Sequence, residues 1–188
     1  MPIEAQNTTA PAAIKASNDT SIGVAYLGET RRTLKQALRK ITHCLNQLTD
    51  GDVQWRQFES HNSIQNIVLH LCGNVRQWIV HTVDGVPDHR DRPAEFADHQ
   101  PRTRAELLAM LAAVVSAADK ALVACAPQRL LEAIHVQGFD TTLLAAIFDS
   151  VSHFVGHTHQ IVYITRLRVG DAYQFQWTPK SVEQEAAE

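Results

Sequence analysis

Apolar residues recur at alternating steps of three and four along four stretches of this chain, a spacing that puts one apolar stripe on each of four α-helices. The first stripe runs Val24, Leu27, Leu34, Leu38, Ile41, Leu45 and Leu48, with Arg31 at one seam position, and ends near Gly51. The second follows Asn62-Ser63, either of which can cap free helix amides, and carries Ile64, Ile67, Val68, Leu71, Val75, Trp78 and Ile79 up to Asp84-Gly85. The third opens on Thr103-x-x-Glu106, a capping box in which hydroxyl and carboxylate satisfy each other's backbone donors. It continues through Leu107, Leu108, Leu111, Val114, Val115, Ala118 and Leu122 to Pro127. The fourth starts around Asp140-Thr141 and carries Leu144, Ile147, Val151, Phe154, Ile161 and Tyr163 to Gly170. With no convincing strands between them, these stripes predict an all-α four-helix bundle over residues 21–170.

Residues 1–20 are rich in Ala, Thr, Asn, Ser and Pro without periodic apolar positions, and are expected to form an unstructured arm. Residues 171–188 form a tail whose alternating Tyr173-Gln-Phe175-Gln-Trp177 reads as an extended segment packed on the bundle. The long 84–101 connection holds three prolines, four aspartates, Glu95, Arg90, Arg92, His89 and His99. Ordered loops of that length usually serve as lids or binding loops. Arg90 or Arg92 is a candidate contact for an anionic substrate, against the plainer reading of a solvated charge cluster.

The charge balance excludes some partners. Seventeen basic against 20 acidic side chains give a net charge of −3, so no basic field is available for nucleic acid or an anionic membrane. The longest apolar run, Leu107 to Val115, is about half of what a membrane span needs. No signal peptide is visible, and Cys44, Cys72 and Cys125 form no C-x-x-C pair, so a reduced, cytoplasmic protein is expected. Cys72 lies two residues after His70 and faces away from it, which makes it a core thiol.

Ten histidines stand out. His153 and His157 lie one turn apart, where two imidazoles can hold one metal ion, although about 0.5 such pairs arise by chance at this histidine content. On the second helix Asn66, His70, Asn74, Gln77 and His81 form a polar stripe, and on the fourth Asp149, Ser150, His153, His157 and Gln160 form another. If both stripes face inwards, their atoms must meet each other, water or a metal, because each unpaired buried polar group costs about 1 to 3 kcal/mol. The alternative is that one stripe faces solvent.

Three segments together resemble the DinB-like superfamily, and within it a bacterial branch of unknown function. They are His70-Leu71-Cys72-Gly73-Asn74, the stretch Arg90 to Phe96, and Ser152-His153-x-x-x-His157-x-x-Gln160, in the family's order. The resemblance spans roughly residues 23–170 and implies an up-down-down-up bundle in which His70, His153 and His157 bind one divalent ion, zinc or nickel. It also implies a homodimer. His159 stands where relatives carry a small residue; two positions past His157, its ring should reach a different face and lie at the surface. Asn74 and Gln160 are candidates to orient the imidazoles or substrate, Asp149 to hydrogen-bond His153, and Arg31 to bind a substrate carboxylate.

The function this implies is a metal-dependent enzyme acting on a small molecule. Its ion would activate a low-molecular-weight thiol, such as bacillithiol or mycothiol, in a transferase, or water in a hydrolase. The interior stripes hold no Glu and only Asp149, which favours a thiol over hydrolysis with a carboxylate base. The competing reading is a non-catalytic bundle that binds a metal or small ligand.

Overall fold

The computed structural model describes residues 10–177, with side chains from Thr20 onward. Four long helices form the bundle. They are α1 (Ala10–Leu45), α2 (Ile64–Val75, prolonged by a π-helical turn at Arg76–His81 and a last turn at Thr82–Asp84), α4 (Arg104–Ala124) and α5 (Leu143–Val169). A six-residue helix, α3 (Arg92–Ala97), interrupts the 84–101 connection.

Side-chain bonds between the helices fix their directions. Tyr26 donates to the Leu144 carbonyl at one end and Cys44 lies 4.0 Å from the Tyr173 hydroxyl at the other, so α1 and α5 run parallel. Arg31 with Asp119, and Arg104 with the Leu45 carbonyl, set α4 antiparallel to α1. Ser150 donates to Asn74 while His70 meets His153, which sets α2 antiparallel to α5. The result is up-down-down-up, with α1 diagonal to α2. The expected caps are present. Ser63 and Thr103 each accept from the amide three residues on and form capping boxes with Asn66 and Glu106.

The seam residues make the core. Leu34, Ile41, Leu45, Ile64, Ile67, Leu71, Leu107, Leu111, Leu122, Leu143 and Phe154 are essentially inaccessible. Leu38, Trp78, Leu108, Leu144 and Val151 are half-buried, and two expected members are exposed, Val24 at 57% and Tyr163 at 64%, while Ile164 and Thr165 take the inner face near the end of α5. By length and composition α4 could cross a membrane, but Leu107, Leu111, Val114, Val115, Ala118 and Leu122 are packed into this core.

Two boundaries differ from the sequence reading. Helix α1 begins at Ala10, so residues 10–20 of the expected arm are helical; Ala10, Ala12, Ala13 and Ala16 prolong the helix by propensity without an apolar stripe. Residues 1–9 lie outside the described residues. Before α5 a hairpin forms, β1 (Ala133–Val136) with β2 (Phe139–Thr142), turning at Gln137 and Gly138, whose φ angles are 51° and 84°. Two consecutive positive φ values are the signature of a tight hairpin turn. The helix therefore starts at Leu143, capped by the Thr142 hydroxyl. The tail to Trp177 follows α1, where the Gln174 amide donates to Gln47 Oε1 at 2.7 Å and Tyr173 packs on His43; the rest of the tail lies outside the described residues.

Candidate metal centre

Halfway along the antiparallel α2–α5 pair, His70 faces His153 and His157. One ring nitrogen from each can be chosen so that all three lie within 4.8 Å of one another. The closest approach is 2.7 Å between His70 Nε2 and His153 Nε2, and the ring centroids are 4.4 to 5.2 Å apart. Helix geometry explains the convergence: His153 and His157 are one turn apart on α5, and His70 stands opposite on α2.

Two of the three outer ring nitrogens are held. His70 Nδ1 lies 2.8 Å from Glu95 Oε2, and His157 Nδ1 lies 2.8 Å from Gln160 Oε1. Both partners are acceptors, so each ring donates outwards from Nδ1 and turns its Nε2 lone pair towards the centre. Arg90 Nη2 also approaches His70 Nδ1, at 3.1 Å, but that group has Glu95 Oε2 to donate to at 2.9 Å. The ring proton therefore goes to Glu95.

Two of the rings are held towards the neutral form. Burial, then the neighbouring His157 and His70, then Arg90 and Arg92, push the His153 pKa down to about 4. Burial lowers that of His157 as well, partly opposed by its bond to Gln160. Lone pairs converging in a poorly solvated site suit a cation, and three histidines form a zinc-type donor set. The residues present fit a divalent ion.

Glu95 is the residue that the sequence reading missed. It comes from α3, not from an interior stripe, so the expectation that no Glu stands near the imidazoles is corrected. Its burial alone would raise its pKa, but hydrogen bonds from Arg90 and His70 outweigh that and hold it ionised. Arg90 Nε donates to Oε1 at 2.7 Å, and the two side chains are only 4% and 9% exposed. Arg90 is thus committed to Glu95 and to Gln77, 2.9 Å away, and is not a substrate contact. Asn66 fastens the other side of α3, its amide lying 3.2 to 3.4 Å from the Glu95, Phe96 and Asp98 carbonyls. The 84–101 segment is thus an anchored flap supplying a partner for His70.

Of the other candidates, Gln160 is where it was expected, on His157. Asn74 does not reach an imidazole; it accepts from Ser150 at 2.8 Å, a buried polar tie between α2 and α5. Asp149 is exposed and makes its charge felt at the Tyr26 hydroxyl; its expected bond to His153 does not form. Arg31 faces α4, paired with Asp119 at 2.7 Å, and so turns away from the α2–α5 seam. His159 is exposed. Cys72 is buried in the core and its thiol is pushed up to about 12 by burial, so it is neither ligand nor nucleophile.

A family described as "Protein of unknown function (DUF1572)" matches residues 21–182, and the chain belongs to that family. Among solved structures, it is similar to a conserved protein from Enterococcus faecalis, at 18% identity and a TM-score of 0.65, over 77% of this chain and 97% of that one. That likeness shows a shared fold. No curated protein matches the sequence.

Proposed function

We propose that this is a DinB-like metal-dependent enzyme in which His70, His153 and His157 hold one divalent ion, zinc or nickel, and a low-molecular-weight thiol is the activated group. The observation that carries this is the convergence of three imidazoles, two of them tied through their outer nitrogens, His70 to Glu95 and His157 to Gln160. With neutral ligands the ion keeps its full charge, which supplies Lewis acidity strong enough to hold a thiol as thiolate or bring bound water to a pKa of about 7.

What favours the thiol over water is the state of Glu95. Both of its oxygens are engaged, Oε1 by Arg90 and Oε2 by His70 and Arg90, so it is not free to take a proton from water. Its role is to fix which nitrogen of His70 faces the centre. Three buried thiols fit a cytoplasmic setting, and a homodimer acting on a small molecule completes the reading.

A panel of small thiols and electrophilic acceptors, assayed with zinc- and nickel-loaded protein, tests it. Saturable, metal-dependent thiol transfer that is lost in His157→Ala is expected. Thiol affinity without turnover across the panel would leave a metal-binding bundle with no catalytic role.

A further inference from the structure

Removing Arg90 from the substrate contacts leaves one guanidinium beside the histidines. Arg92, the first residue of α3, lies over the Phe96 ring at 5.1 Å, and the Phe96 ring packs on His70 with centroids 4.9 Å apart. Guanidinium, phenyl ring and imidazole thus follow one another towards the centre.

That charge is uncompensated. Among the described residues no carboxylate lies within ion-pair distance of Arg92. Its two acidic neighbours are occupied, Glu95 by Arg90 and His70, and Asp91 by the Ala94 amide at the start of α3. Arg90 and Glu95 are paired with each other, which leaves the Arg92 guanidinium, on an exposed side chain, without an ion-pair partner. The phenyl ring beneath limits where the guanidinium can go while leaving its donors unspent. A planar five-donor group in that position matches an oxyanion.

We propose that the ligand of this site carries an anionic group that Arg92 binds while the reactive end of the ligand lies at the three histidines. The proposal rests on the metal reading above and narrows it to negatively charged small molecules. The Phe96 face positions the guanidinium, so specificity resides in α3.

The test uses full-length protein loaded with cobalt and titrated with 2-mercaptoethanesulfonate, 2-mercaptoethanol or cysteamine, read by the thiolate-to-cobalt absorption band. Sulfonate is a poor metal ligand, so a preference for the first probe reports on the protein. Wild type should bind the sulfonate about tenfold more tightly than the neutral thiol, the gain expected of one charge-assisted contact, and cysteamine more weakly than either. Arg92→Ala should level the three while leaving 2-mercaptoethanol affinity unchanged, Arg92→Lys should keep part of the preference, and Arg32→Ala, remote on α1, should behave as wild type. Equal affinities in wild type, or a preference that survives Arg92→Ala, would overturn the proposal while leaving the metal centre intact. A protein that takes up no cobalt would overturn the metal reading, and this proposal with it.

Discussion

The carboxylate of Glu95 occupies the space that a side chain on Gly73 would need: a Cβ built there would stand 1.8 Å from Glu95 Oε1 and 2.9 Å from Arg90 Nε. Gly73 lies one turn after His70 on α2, so the absence of a side chain lets α3 press its ion pair against the helix and reach the imidazole. The glycine serves a close approach and needs no unusual backbone angle.

Gly73→Ala should therefore act at a distance on the histidines. Displacing Glu95 deprives His70 of its partner, and zinc affinity should fall about 10- to 100-fold, as it should in Glu95→Ala. Gly156→Ala is the matched control, an exposed glycine in α5 where an added Cβ would meet no atom within 4 Å, and should stabilise the fold by about 0.5 to 1 kcal/mol. Competition with a chromophoric chelator and urea unfolding measure the two effects; unchanged zinc affinity in Gly73→Ala would contradict the linkage.

The Arg90–Glu95 pair separates stability from metal binding. Arg90→Ala leaves an ionised carboxylate buried without its main partner and should cost about 3 to 5 kcal/mol. The double variant Arg90→Met, Glu95→Leu removes both charges and should recover most of that loss. Zinc affinity should fall in the double variant, because His70 Nδ1 there loses its acceptor. Wild-type affinity in a double variant of recovered stability would mean that Glu95 acts only as packing.

Away from the histidines, Asp119 should give a small pH-dependent term. Hydrogen bonding from Arg31 lowers its pKa, partial burial opposes this, and Lys35 adds to the lowering. A folded-state pKa below the ordinary 3.8 means that the unfolded chain binds its proton first as pH falls. The stabilisation is thus complete well above pH 3.8 and is lost as pH drops through the folded value, and at this partly exposed site it amounts to less than about 1 kcal/mol. Urea unfolding should show Asp119→Asn less stable than wild type at pH 7, with the gap closing towards pH 3. A gap independent of pH would contradict the ion pair.

The bundle was legible because its determinants are local. Leu34, Ile41 and Leu45, or Leu107 and Leu111, announce their burial by spacing alone, and Ser63 and Thr103 mark helix starts by the groups they can satisfy. His153 and His157 were legible for the same reason, one turn apart, whereas bringing His70 to them needed the resemblance to a family. Glu95 was hidden because its partner lies 25 residues earlier, in a segment whose charge and prolines read as a solvated loop. Its signal was present in Arg90 to Phe96 and in Gly73, but only a contact between them gives either a meaning. The π-turn after Val75 and the hairpin at Gln137-Gly138 escaped for a related reason. One changes the phase of a continuous helix, and the other depends on two positive φ angles in a pair with a single glycine.

Metal content tests the central claim most directly. Protein purified without a histidine tag should carry about one zinc or nickel ion per chain by plasma mass spectrometry, and His153→Ala, folded equally well by circular dichroism, should carry none. Wild type that neither retains nor takes up a divalent ion when supplied with one would contradict the account and leave three histidines meeting inside a helical bundle for some other purpose.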